Sequence, residues 1–229
     1  MKAALENPDR RLRKLLVTEN ALRRLKESGV GLPIEPQVVP AEAFLVHLPA
    51  DAVHQGLLAD ADPLPAPGIE DLDPEGMVVM LDQVTDPHNV GAILRCAAAF
   101  AVMALVTTSR HSPEATGVLA KSASGALEHV PIVSIPNLAR GIEALKARGF
   151  LVVGLDSDAE LGLSAVPLRL PLALVLGAEG KGLRQLTRKN CDALAKLDLP
   201  GRIKSLNVSN AAALALYVAS TRLGRDLPG

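Results

Sequence analysis

An open α/β sheet of mostly parallel strands, preceded by a smaller α/β unit, is the fold this sequence predicts. Three observations lead there. Short apolar runs without polar alternation recur at 77–81, 103–107, 132–135, 150–155 and 172–176, most of them separated by segments of helical pattern. Such strands are buried on both faces, as in a parallel sheet covered by helices. A stretch rich in Pro, Gly and acidic residues, DADPLPAPGIEDLDPEG, divides the chain. Loops bearing glycine or asparagine follow three of the strands, where open α/β sheets hold their ligands.

Residues 1–62 read as the small unit. A helix is expected over 2–6, a strand over 13–17, and a helix over 19–27 that Thr18 caps and Gly29 ends. A second strand at 34–38, a helix near 41–47 and a last strand at 55–61 complete it. Residues 63–75 form a linker that proline makes semi-rigid. In the second domain, 76–229, strand 77–81 leads through DQVTDPHN to a helix at 90–100 and a strand at 103–107. Then follow helix 112–122, strand 132–135, helix 137–148, strands 150–155 and 172–176, and a helix near 183–190. A short strand at 195–199 and a terminal helix over 207–223 close the chain, which shows no internal repeat.

The chain of 229 residues, 48% hydrophobic and 21% charged, has the composition of a soluble globular protein. No apolar run approaches the roughly 18–20 residues of a membrane span. The opening MKAALENPDRR lacks the apolar region of a signal peptide, and the cytoplasm is the expected compartment. Cys96 and Cys191 form neither a disulfide framework nor a metal-ligand pattern. His47, His54, His88, His111 and His129 are scattered, without a spacing that would bind zinc, so no metal is expected. The net charge of −1 hides an asymmetry. Arg10, Arg11, Arg13, Lys14, Arg23, Arg24 and Lys26 crowd the start, residues 31–90 carry no Lys or Arg, and Lys181, Arg184, Arg188, Lys189, Arg202 and Lys204 return beside the glycine-rich segments. Such clusters suit phosphate backbones as well as they suit solvated helix faces. With 2% aromatic residues, base stacking on an aromatic sheet is not expected.

Three loops carry the candidate chemistry. In DQVTDPHNVGAILR, Asn89 is placed as a helix N-cap, and alone it is explained equally by capping and by function. Arg95 stands in an otherwise apolar helix, and a buried guanidinium would need an anionic partner. In LVLGAEGKGL, a buried strand delivers Gly177, Gly180 and Gly182 around Glu179 and Lys181. This spacing is neither the dinucleotide fingerprint nor a P-loop, and the glycines allow a backbone to approach a bulky ligand closely. In LDLPGRIKSLNVSNAAALALY, the chain bends at Pro200-Gly201, sets Ser205 and Asn207 two residues apart and enters an apolar helix.

Taken in order, Asn89-x5-Arg95, LGAEGKGL and SLNVSNAAALALY resemble the three signature motifs of the SpoU/TrmH family of RNA ribose 2′-O-methyltransferases, within the SPOUT superfamily. The match spans about 77–223. The stretch DAVHQGLLADADP resembles the end of the small RNA-recognition domain of the RlmB branch, which modifies a guanosine ribose of 23S ribosomal RNA. The resemblance implies a parallel sheet whose C-terminal segment, about 172–223, is threaded into a trefoil knot. It implies S-adenosyl-L-methionine as cofactor, with Gly177, Leu197, Leu199 and Leu206 at the cofactor and Asn89, Arg95, Glu179, Ser205 and Asn207 at the reaction site. It also implies a homodimer and an RNA substrate.

Two departures accompany it. Leu197-Asp198-Leu199-Pro200-Gly201 replaces the Ile-Pro-Met that usually precedes the third loop's glycine, and the small domain lacks the opening strand and glycine expected before Lys2, so it reads as truncated. The alternatives are a transfer-RNA methyltransferase of the same family and a non-catalytic RNA-binding or ribosome-assembly factor with the same fold.

Overall fold

The computed structural model describes residues 1–48, 54–110 and 117–224. The chain divides into two compact units, Met1–Leu64 and Pro65–Gly229. In the first, helix α1 (Lys2–Glu6) leads to strand β1 (Leu12–Val17), helix α2 (Glu19–Glu27), strand β2 (Gln37–Val38), a 3-10 turn (Ala41–Val46) and strand β3 (Leu57–Ala61). β1 is central, parallel to β2 and antiparallel to β3. Leu5, Leu12, Leu15, Val17, Leu25 and Val30 form its core. The Thr18 hydroxyl accepts from the Ala21 amide at 3.3 Å and starts α2.

Here the structure corrects three expectations. The strand expected over 34–38 shrinks to two residues, since Pro33 and Pro36 cannot donate to a ladder. The helix expected near 41–47 is a 3-10 turn, too short a segment to sustain an α-helix by itself. The strand expected from 55 starts at Leu57, because Gln55 and Gly56 have φ values of 52° and 78°. Phe44 is fully buried and stacks on His54 at 4.5 Å, and the Gly56 amide donates to His54 Nδ1, so His54 is structural in this unit. Asp51, Ala52 and Val53 lie outside the described residues.

The second unit begins earlier than expected. Much of the proline-rich stretch is drawn onto it: Leu72 is buried, and Arg148 donates to the carbonyls of Ile69 and Leu72. Its elements are β4 (Met77–Asp82), α3 (Pro87–Ala99), β5 (Ala104–Thr108), α4 (Gly117–Ala123), β6 (Ile132–Ile135) and α5 (Leu138–Ala147). Then come β7 (Leu151–Leu155), β8 (Leu172–Gly177), α6 (Gln185–Asn190), β9 (Ala193–Ala195) and α7 (Val208–Arg222). The six strands are all parallel, in the order β6-β5-β4-β8-β7-β9. Alternate side chains feed two cores. Met77, Val79 and Leu81 join α3, α4 and α7 on one face, and Val78 and Met80 join α5 on the other. Burial on both faces is why these strands read as unbroken apolar runs.

Helix α3 starts three residues before the expected Val90. Asp86, not Asn89, is its N-cap, accepting from the His88 amide at 3.1 Å, and Pro87 occupies the first turn. The strand expected over 195–199 lies at 193–195 because its partner, β7, ends at Leu155 opposite Ala195. Residues 112–116 of the expected fourth helix lie outside the described residues. Gly91 is fixed by packing: a Cβ there would lie 2.4 Å from Ser122 Cβ, so α3 and α4 meet through it. Asp192 ties β7 to α5, accepting from the Val152 amide at 2.8 Å and pairing with Lys146 at 2.7 Å.

Gly91→Ala should destabilise the fold by about 1–3 kcal/mol through overpacking, lowering Tm by roughly 2–10 °C in a thermal melt. For Asp192, burial alone would raise the carboxyl pKa. The Lys146 hydrogen bond, the Val152 amide and the charges of Lys146 and Arg169 outweigh it and lower the value. The stabilisation is therefore present above the ordinary carboxylate range, near pH ~4, and is lost as pH falls through the lowered value. Asp192→Asn should lose roughly 1 kcal/mol or less at pH 7, both partners being partly exposed. Its melts should depend less on pH below pH ~4 than those of the unsubstituted chain.

Candidate active site

The sheet reverses its winding between β4 and β8. The connection from β4 runs to β5 on one side, and that from β8 runs past β7 to β9 on the other. Ligands of open α/β sheets sit in the crevice beyond such a point. The two strand ends meet in register, Asp82 opposite Gly177. Helix α3 follows the first, a glycine-rich loop leaves the second, and α7 follows the long loop after β9 and packs beside α3.

Asn207 joins all three. Its Oδ1 accepts from the Ser209 amide at 2.9 Å and the Ser209 hydroxyl at 2.6 Å, which caps α7. An amide N–H only donates, so these bonds fix the orientation of the side chain. Its Nδ2 then donates to Asn89 Oδ1 at 3.0 Å and to Glu179 Oε2 at 3.3 Å. Asn89 is a first-turn residue of α3 whose side chain bonds across the crevice, which corrects its expected capping role.

The structure does not bring Arg95 or Ser205 into this junction. Arg95 was expected to need an internal anion if buried. It is exposed on α3 and makes no hydrogen bond or ion pair among the described residues. The reason is helical: the buried positions are Val90, Gly91, Ile93, Leu94 and Ala97, and Arg95 falls on the strip with exposed His88 and Ala99. Ser205 is exposed in a loop without regular structure, where Lys204 Nζ donates to the Leu199 carbonyl at 2.7 Å.

Gly177 is held by close approach. A Cβ would lie 2.2 Å from the Gly182 carbonyl carbon, because the 178–182 loop folds back with the Gly182 amide bonded to the Ala178 carbonyl at 2.8 Å. Leu197, Leu199 and Leu206 all lie in the loop between β9 and α7, each half-buried. Half-covered apolar side chains suit the flat apolar part of a ligand, and a glycine backbone such as that at Gly177 can offer its polar groups. Asp198 faces elsewhere, accepting from the Ser164 hydroxyl at 3.0 Å. The departure from the usual sequence at this position thus serves the β7–β8 loop.

Sequence reading missed Asp82. Its carboxylate is wholly buried, Oδ1 accepting from Arg184 Nε at 2.6 Å and Oδ2 from the Arg184 amide at 2.9 Å. The available signal was an acid ending an otherwise apolar strand, since a buried charge must be paired. A second pair, Arg188 with Asp156 at 2.5 Å, holds α6 to the end of β7. Burial pushes the Cys191 thiol up to about 12 and raises Cys96, so neither is a thiolate nucleophile at neutral pH. Among the described residues, no group of three or more His, Cys, Asp or Glu is placed to hold a metal ion, and no helix is long and apolar enough to cross a membrane.

Comparison with known proteins fits this arrangement. Residues 76–217 match the SpoU rRNA Methylase family. The 23S rRNA (guanosine-2′-O-)-methyltransferase RlmB of Pseudomonas putida is 36% identical over 96% of this chain and 92% of its own length. The SpoU methyltransferase AviRb of Streptomyces viridochromogenes, solved in complex with AdoMet, has the same fold. Its TM-score is 0.79 at 23% identity, over 96% of this chain and 86% of that one. A TrmH/SpoU tRNA-modifying enzyme of A. aeolicus overlays on 67% of this chain and 78% of its own, with a TM-score of 0.59 at 25% identity. The chain belongs to the SpoU rRNA methylase family.

Proposed function

We propose that this protein transfers the methyl group of S-adenosyl-L-methionine to the ribose 2′-hydroxyl of a guanosine in 23S ribosomal RNA, in the cytoplasm. The observation that carries the reading is the Asn89–Asn207–Glu179 junction at the β4/β8 crevice, in a family of RNA methylases. Ribosomal RNA is favoured over transfer RNA because the likeness to the Pseudomonas enzyme extends over both units, whereas the tRNA-modifying structure overlays on two thirds of the chain.

In this reading the cofactor lies against Gly177, Leu197, Leu199 and Leu206, and supplies an electrophilic methyl group on a sulfonium. The residues of the chain then do two things. They align the hydroxyl for in-line attack, which accounts for much of such an acceleration, and they favour the charge that develops on it. Asn89, Asn207 and Glu179 form a hydrogen-bonded wall that positions the ribose, and Ser205, exposed in the adjoining loop and outside that wall, offers its hydroxyl to the bound RNA. Arg95 is not the base, because a guanidinium keeps its proton above pH ~12. Exposed, and without a hydrogen bond or ion pair among the described residues, it clamps the adjacent RNA phosphate, and the proton leaves to that phosphate or to solvent.

The first unit serves as the RNA-recognition domain, through the arginines and lysines of β1 and α2. The 172–223 segment forms the trefoil knot. Support for the knot is the passage from β9, at the edge of the sheet, back to α7, which packs on the central face beside α3. Support for a homodimer is α7 itself, on which Leu214 and Tyr217 remain 43% and 55% exposed in a single chain.

Arg95→Ala should lower methyl incorporation into a 23S rRNA fragment by about a hundredfold or more, with S-adenosylmethionine affinity unchanged in calorimetry. Equal loss of both would refute the phosphate role. Asn207→Asp keeps the cap acceptor but loses the donor and sets a carboxylate against Glu179. It should melt within a few degrees of the unsubstituted protein and yet lose most transfer. Full transfer by this variant would remove the junction from the reaction. Incorporation into bulk tRNA but not the rRNA fragment would exchange the substrate.

A further inference from the structure

A cavity of about 360 Å³ opens in the second unit at the carboxyl ends of β5 and β6. Thr108 and Arg110 come from the β5 end, Asn137 and Ala139 from the start of α5, and Arg184 and Thr187 from the start of α6. Its size lies within the range of small-ligand sites. Among the described residues, no carboxylate lines it. Arg184 is pre-oriented, because Asp82 holds its Nε and its backbone amide. A guanidinium has five N–H donors, so its terminal nitrogens remain for a ligand at little further loss of side-chain freedom. Arg110 is exposed and makes no hydrogen bond or ion pair among the described residues. Leu186, 58% exposed, adds an apolar surface at the rim.

Position decides what the cavity takes. The strand order puts it on the β5–β6 side of the β4/β8 crevice, away from β9 and the loop to α7 where the cofactor residues lie. Strands are spaced by about 4.8 Å, so along the carboxyl edge of the sheet the cavity is offset from the β4/β8 crevice by roughly 5–10 Å, and it is lined from the α5 side, the face opposite α3 and α7. An RNA strand that crosses this edge covers such an offset from one nucleotide to the next. Arg184 connects the two places, since the carboxylate that holds it ends β4.

We propose that this cavity is a subsite for the nucleotide next to the methylated one, its phosphate gripped by Arg110 and Arg184 and its base resting at Leu186. The inference rests on the RNA methyltransferase reading. It makes the β5–β6 side of the sheet the RNA side and the β8–β9 side the cofactor side.

The test uses the full chain, the same 23S rRNA fragment, and the variants Arg110→Ala, Arg110→Lys and Ala139→Leu, the last adding bulk to the cavity from α5. Methyl incorporation by the unsubstituted protein is measured first, and its absence would sink the functional reading by itself. RNA binding is then titrated over a salt series. Arg110→Ala should bind about tenfold more weakly at low salt, and its log–log salt slope should shrink by about 0.7, one single-strand phosphate contact. Arg110→Lys should recover the slope. Ala139→Leu should weaken RNA binding, and all three should bind S-adenosylmethionine as before. RNA binding like that of the unsubstituted chain in both Arg110→Ala and Ala139→Leu overturns the subsite, as does a matching loss of cofactor affinity. Inorganic phosphate is titrated separately. If it binds as tightly as the RNA and Arg110→Ala abolishes both, the cavity is a free-anion site and the proposal fails.

Discussion

The buried carboxylate of Asp82 is the constraint on which the centre of this protein depends. A charge with no exposure must find partners, and leaving it alone would cost several kcal/mol. Its partners are the backbone amide and the guanidinium of Arg184, a residue that the chain reaches only after completing β8 and turning. The 178–183 segment must therefore fold back across the ends of β4 and β8. This return is sterically possible because Gly177 has no Cβ to strike Gly182. One ion pair at a strand end thus sets the shape of the glycine-rich loop, and the loop in turn places Glu179 beside Asn207.

A second element of order comes from one amide. Asn207 satisfies the start of α7 with its oxygen and spends its nitrogen on Asn89 and Glu179. The same side chain that a terminal helix needs for capping closes the crevice between β4 and β8. Helix capping and closure of the crevice are coupled here through a single orientation, and Asn207→Asp separates them by keeping the cap and removing the donor.

Much of the fold was legible in the sequence because unbroken apolar runs arise only when both faces of a strand are covered. Met77–Asp82 and Leu172–Gly177 are such runs, and they are the two central strands. What was not legible depended on partners distant in sequence. The end of β9 is set by where β7 stops, and local propensity at 195–199 does not encode it. The cap of α3 was misplaced because Asn89 and Asp86 are equally good capping residues, and Pro87 settled the matter in favour of Asp86. Arg95 read as buried because its immediate neighbours are apolar, yet on a helix neighbours in sequence point different ways. Asn89, Glu179 and Asn207 could be named from their loops. Their contact could not, since residues 118 apart meet only through the topology.

A nearly neutral, aromatic-poor chain needs another means of holding a polyanion than long-range attraction or base stacking. The distribution of its arginines supplies one. Among the described residues, Arg95 on α3 and Arg110 after the end of β5 make no hydrogen bond or ion pair, and Arg184 is braced by a buried acid. A pre-oriented guanidinium loses less freedom on binding than a free one, so a few placed arginines can replace a broad basic surface. The same buried carboxylate that closes the glycine-rich loop also holds Arg184, which lines the β5–β6 cavity. Changes at Asp82 should therefore be felt on both sides of the crevice at once, whereas changes at Arg110 reach only one.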